Sequence, residues 1–155
     1  MNADVEGEWR WKNDRAAYEQ ETARERQSFY ARLAAERERH ATRLKTLTWE
    51  KLLAEETFSR WGAHPPFPPL EFAAAARERI RSTILALQML GPRPKKAHVR
   101  AVLRACVEWF NDKNGEFGDV IETEEREDIC KVLEELAVVT CHPSLAEEIG
   151  NWRTW

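Results

Sequence analysis

Apolar and polar residues alternate at helical spacing along nearly the whole chain, and the width of the apolar stripe changes on the way. From Trp9 to Lys45 there is no Pro or Gly, and Ala, Arg and Glu dominate. Such a composition favours a helix, and the pairs Glu8/Lys12, Arg32/Glu36 and Glu36/Arg39 sit one turn apart. A thin stripe runs through Trp11, Tyr18, Thr22, Phe29, Leu33, His40, Leu44 and Leu47. Its steps of three, four and seven fit a coiled-coil seam better than a broad core face, although Thr and His stand where Leu is expected. Three arrangements fit this arm: a two-stranded coiled coil, packing along its own bundle or another protein, and a solvated single helix.

Thr46-Leu47-Thr48 reads as a break, with Thr48 as the cap of a second helix over Trp49–Trp61 and Gly62 as its stop. Trp49, Leu52, Leu53, Thr57 and Trp61 would share one side of it, with Phe58 flanking. Four prolines then fall within Pro65–Pro69, which forces an extended spacer pinned by Phe67. Beyond it the stripe broadens. Leu70–Leu90 places Ala73, Ala76, Ile80, Thr83, Ile84, Leu87 and Leu90 on one face, and Gly91, Pro92 and Pro94 end that helix. Lys95–Asp112 gathers Val99, Val102, Leu103, Cys106 and Phe110. Asn111–Asp119 reads as a polar turn, and Thr123 as the cap of a helix carrying Ile129, Val132, Leu133, Leu136, Val139 and Thr140. His142-Pro143 closes it, and a short last helix follows with Leu145, Ile149 and Trp152. No internal repeat is visible.

The expected fold is therefore all-α. Residues 70–155 form a three- to four-helix bundle, residues 63–69 a linker, and residues 1–62 a long charged arm, either broken near 46–48 or running through it as one helix. A third of the 155 residues are charged and the mean hydropathy is −0.65. Seven Trp and the periodic aliphatic runs nevertheless argue against disorder.

Charge changes the picture of the middle of the chain. Arg77–Arg104 holds eight basic residues against one acidic, and Glu108–Glu148 thirteen acidic against three basic. The two segments attract each other, so much of the basic charge is expected to be matched internally. What remains open to a phosphate is the turn and the helix after it: Arg93, Lys95, Lys96, Arg100 and Arg104.

Candidate chemistry adds little. The oxygen-rich stretch Asp112, Asn114, Gly115, Glu116, Asp119 and Glu122 fails as an EF-hand, because Phe110 would fall at the first ligand position. Cys106, Cys130, Cys141 and His142 lack metal-ligand spacing, and no cofactor is expected. No nucleophile motif or phosphate loop is present, so no enzyme activity is expected. An odd number of cysteines, no leader-like apolar N-terminus and no membrane-length apolar run lead to the expectation of a cytoplasmic protein. The expected function is a non-catalytic assembly, adaptor or regulatory subunit with a protein partner or a second copy of itself. Its contacts would come from Trp9, Trp11, Tyr18, Phe29, Leu33, Leu44 and Trp155, since Trp at the ends of a charged chain suits binding hot spots. A nucleic-acid accessory role through the basic turn is the second reading.

Overall fold

The computed structural model describes Lys12 and residues 14–155. Among these residues there are six α-helices and no strand: α1 (Arg15–Thr46), α2 (Trp49–Ala54), α3 (Leu70–Met89), α4 (Lys96–Glu116), α5 (Thr123–Val139) and α6 (Leu145–Trp152). The chain divides into two units after Lys45.

The first unit contains nearly all of α1. Its 32 residues give a rod about 48 Å long at 1.5 Å per residue. Asp14 Oδ1 accepts the Ala17 N–H at 3.2 Å at its start, and Arg43 and Lys45 complement the helix dipole at its end. No residue of α1 is buried.

The second unit is a bundle with one continuous core. Thr48 caps α2 as its sequence suggests: it is extended (φ −133°) and its hydroxyl accepts the Lys51 N–H at 3.2 Å. The expected helix over Trp49–Trp61 is not formed in full. It stops at Ala54, Glu55 turns extended, and Thr57–Arg60 form a turn with Phe58 at φ 55°. Tertiary contacts outweigh local propensity here. Arg77 of α3 donates to the carbonyls of Thr57 (2.9 Å) and Phe58 (3.1 Å), and Trp61 Nε1 donates to Asp128 at 2.8 Å. Phe58 and Trp61 stack at 4.1 Å and enter the core together with Leu52. Residues 46–62, read from sequence as part of the arm, thus belong with the bundle. Phe67 lies against Gly62, where a Cβ would come within 2.9 Å of its ring. That glycine is what lets the spacer lie close.

Helix α3 buries the face expected of it as far as Leu87 and adds Phe72, while Leu90 lies just past the helix and is half-buried. Phe72 is fully buried and touches Trp61, Phe110 and Phe117, so it joins α3 to the loop before it and to α4. α3 packs on α4, α6 packs on both α4 and α5, and α2 packs on α3. On α4 the buried residues are Val99, Leu103, Cys106, Val107, Phe110 and Asn114. On α5 they include Ile129, Leu133, Leu136 and Ala137.

The expected polar turn at Asn111–Asp119 is mostly helix, because α4 runs on to Glu116. Its asparagines use their side chains on other segments rather than on their own backbone. Asn111 Nδ2 donates to the Trp152 carbonyl (2.9 Å) and its Oδ1 accepts Thr154 N–H (3.0 Å). Asn114 is buried, and its Oδ1 accepts Ile121 N–H at 2.8 Å. The next cap also lies one residue earlier than expected. Glu122, not Thr123, caps α5, in a reciprocal capping box with Glu125.

Asn114→Ala would leave the Ile121 N–H buried without an acceptor. Urea denaturation should show a loss of about 1–3 kcal/mol.

Candidate interaction surfaces

Helix α1 carries most of the residues expected to make contacts. Trp9 and Trp11 lie outside the described residues. Tyr18, Leu33 and Leu44 are half-buried, while Phe29 and Tyr30 are 51% and 61% exposed and meet edge to face at 5.7 Å. Tyr30 was not expected on this surface; it follows Phe29 but sits off the stripe. The rest of α1 is charged, polar or small, and Arg15 pairs with Glu19 at 2.9 Å along the helix.

Trp155 is in the core instead of at the surface. It is 8% exposed and its ring lies 6.3 Å from Phe110. Asn111 holds the backbone of Trp152 and Thr154, which turns the chain back over the bundle. The Arg153 guanidinium donates to the Trp155 main-chain oxygen and lies over its ring at 5.6 Å. The indole N–H is buried without an acceptor, so Trp155 contributes by packing and not through its polar edge.

The basic residues do not converge on one patch. Arg100 forms a two-pronged pair with Glu148 at 2.9 and 3.2 Å, joining α4 to α6. Lys96 Nζ donates to Ser144 at 2.7 Å, and Arg104 pairs with Glu108 on its own helix at 2.9 Å. Arg93 and Lys95 are exposed at the turn. His142 also meets that turn, with Nε2 2.8 Å from the Pro94 carbonyl oxygen. Three of the five expected phosphate contacts are thus committed to partners within the chain.

A shallow groove of about 340 Å³ lies between α3 and α4, lined by Ser82, Thr83, Ala86, Ala101, Val102 and Ala105, with Arg79 at its edge. Leu85 and Met89, beside it on α3, are 47% and 87% exposed. They form a short apolar line of their own, one turn apart and off the core face. Sequence reasoning passed over it because the core stripe of α3 is so much longer.

The thiols differ in environment. Cys106 is buried on the α3–α4 side, and desolvation pushes its pKa up, opposed in part by the Thr83 hydroxyl and the Arg79 guanidinium. Burial also raises the Cys130 thiol, with Arg153 and Arg126 working against it. Cys141 is exposed. Among the described residues no group of three or more His, Cys, Asp or Glu is placed to hold a metal ion, and no helix is long and apolar enough to cross a membrane. No family model, curated protein or solved structure matches the chain.

Two outcomes follow from these environments. Trp155→Phe keeps a ring and removes an unpaired N–H, so its stability in urea should stay close to the original, whereas Trp155→Ala should lose about 3–5 kcal/mol. The neutral thiol of Cys106 stabilises the fold fully below the unfolded-state thiol pKa of about 8.5. That contribution should fall as pH rises from there through the raised folded value, and Cys106→Ala should flatten this part of the stability–pH curve.

Proposed function

We propose that this protein is a non-catalytic assembly or adaptor subunit whose contacts are made through the N-terminal arm. The observation that carries the reading is α1 itself: 32 helical residues with none buried, bearing an apolar line and two exposed aromatic rings. Helices of globular proteins draw most of their stability from packing of an apolar face, and α1 has no buried face of its own. Exposed aromatic rings on a charged rod are what a partner surface would cover.

The bundle supports the same reading as a scaffold. Its aromatic and aliphatic residues form one core, and its basic residues are largely spent on internal pairs. The α3–α4 groove is lined mainly by small apolar side chains, a lining that suits a docked side chain or helix better than acid–base chemistry.

Light scattering on the full chain and on a chain lacking residues 1–45 tests this. The full chain should form a concentration-dependent oligomer or a stable complex, and the shortened one should be a folded monomer. Identical profiles for both would remove the arm from the function.

A further inference from the structure

The stripe on α1 does repeat, at a spacing that a reading by sevens passes over. Thr22, Leu33 and Leu44 are eleven residues apart. Tyr18, Phe29 and His40 follow the same interval, four residues before each of them. The charges between these layers keep the period too: Asp14, Glu25 and Glu36 occupy one position, and Arg15, Arg26 and Arg37 the next. Eleven residues make three turns of 3.67 residues, so the line drifts by only about 20° per repeat and in the right-handed sense. Helix α1 runs through all of these positions except Asp14 without interruption.

On the helix surface the two charged positions fall on opposite sides of the apolar line. At these two positions the carboxylates flank one edge and the guanidinium groups the other, while Glu21, Arg32 and Arg43 share a position farther out on the carboxylate side. Neighbouring residues do not face each other along one helix, so Glu25 and Arg26 cannot satisfy one another. The side chains of Glu25, Arg26, Glu36 and Arg37 are exposed and form no ion pair or hydrogen bond among the described residues. Glu19, which lies on the guanidinium side, is neutralised by Arg15.

We infer that α1 pairs with α1 of a second copy as a parallel, in-register, two-stranded coil of eleven-residue repeats. A two-fold axis along the rod sets the acidic edge of each helix against the basic edge of the other. Glu25 then meets Arg26 of the partner subunit, and Glu36 meets Arg37 of the partner subunit, on both sides of the seam. An antiparallel pair would set like edge against like edge, with Glu25 near Glu36 of the partner subunit and Arg26 near Arg37 of the partner subunit. Exposed ion pairs of this kind select orientation more than they supply affinity, which comes from the Phe29, Leu33 and Leu44 layers. This inference rests on the reading of α1 as the contact element.

The test uses the full chain, three substituted variants and the chain lacking residues 1–45. Light scattering should give a dimer mass for the unaltered protein. Glu25→Arg/Glu36→Arg should raise the dimer dissociation constant roughly tenfold or more, by turning the flanking pairs repulsive. Mixing it with Arg26→Glu/Arg37→Glu should restore the dimer, which shows that both chains are folded. Orientation is read from Thr22→Cys in a Cys141→Ser background under mild oxidation. A parallel seam brings the two Cys side chains face to face and yields a covalent dimer, whereas antiparallel copies centred on the stripe hold them about 27 Å apart. A dimer without cross-link overturns the parallel register while leaving the arm as the contact element. A monomeric unaltered protein overturns self-pairing, and a dimer that survives removal of residues 1–45 overturns the contact role of the arm as well.

Discussion

Phe72 is the residue through which the bundle is held as one body. It is fully buried on the first turn of α3 and reaches three aromatic neighbours that belong to different parts of the chain. Trp61 brings in the loop after α2, Phe117 the end of α4, and Phe110 the middle of α4. Phe110 passes the contact on to Trp155, and Phe58 stacks on Trp61. Large rings bury much area at little entropic cost, so a chain with a third of its residues charged can still close a core by linking a few of them. The polar ties around this cluster then fix what the rings leave loose. Asp128 accepts from both Arg60 (2.7 Å) and Trp61 (2.8 Å), which anchors the irregular loop to α5.

How much of this could be read from the sequence depended on whether a residue's role was local. The faces of α3, α4 and α5 were legible, because Ile80, Leu87, Leu103 and Leu133 recur at helical spacing and spacing alone decides which side is buried. Thr48 was legible for the same reason, since a cap acts within its own turn. Asn111 and Asn114 were not. Their composition speaks for a turn, and only their bonds to residues 152, 154 and 121 keep them helical. Phe58 and Trp61 were misplaced on a continuous helix because the residue that breaks it, Arg77, lies in another element. For Trp155 the sequence allowed both a fold back onto the bundle and an exposed anchor, because position in the sequence does not show which residues fold back; the structure has the first.

The two units obey different physics. In the bundle, periodic apolar faces meet each other and the charges serve as trim. Along α1 the apolar line is thin, and Asp14, Glu25 and Glu36, like Arg15, Arg26 and Arg37, recur at its eleven-residue interval. The contrast explains why heptad reasoning found only a poor seam there. At an eleven-residue interval the stripe is regular, although Thr22 and His40 still stand in it.

The asparagine ties at the end of α4 also bear on the order in which the protein is made. Asn111 is synthesised well before Trp152 and Thr154, the residues whose backbone it holds. While the chain is still growing, the Asn111 amide lacks these partners, and Phe110 lacks the Trp155 ring beside it. A nascent chain that has emitted only α1 through α5 therefore lacks both the Asn111 ties and the Trp155–Phe110 contact. Closure of the core around Phe110 waits for the residues after α6.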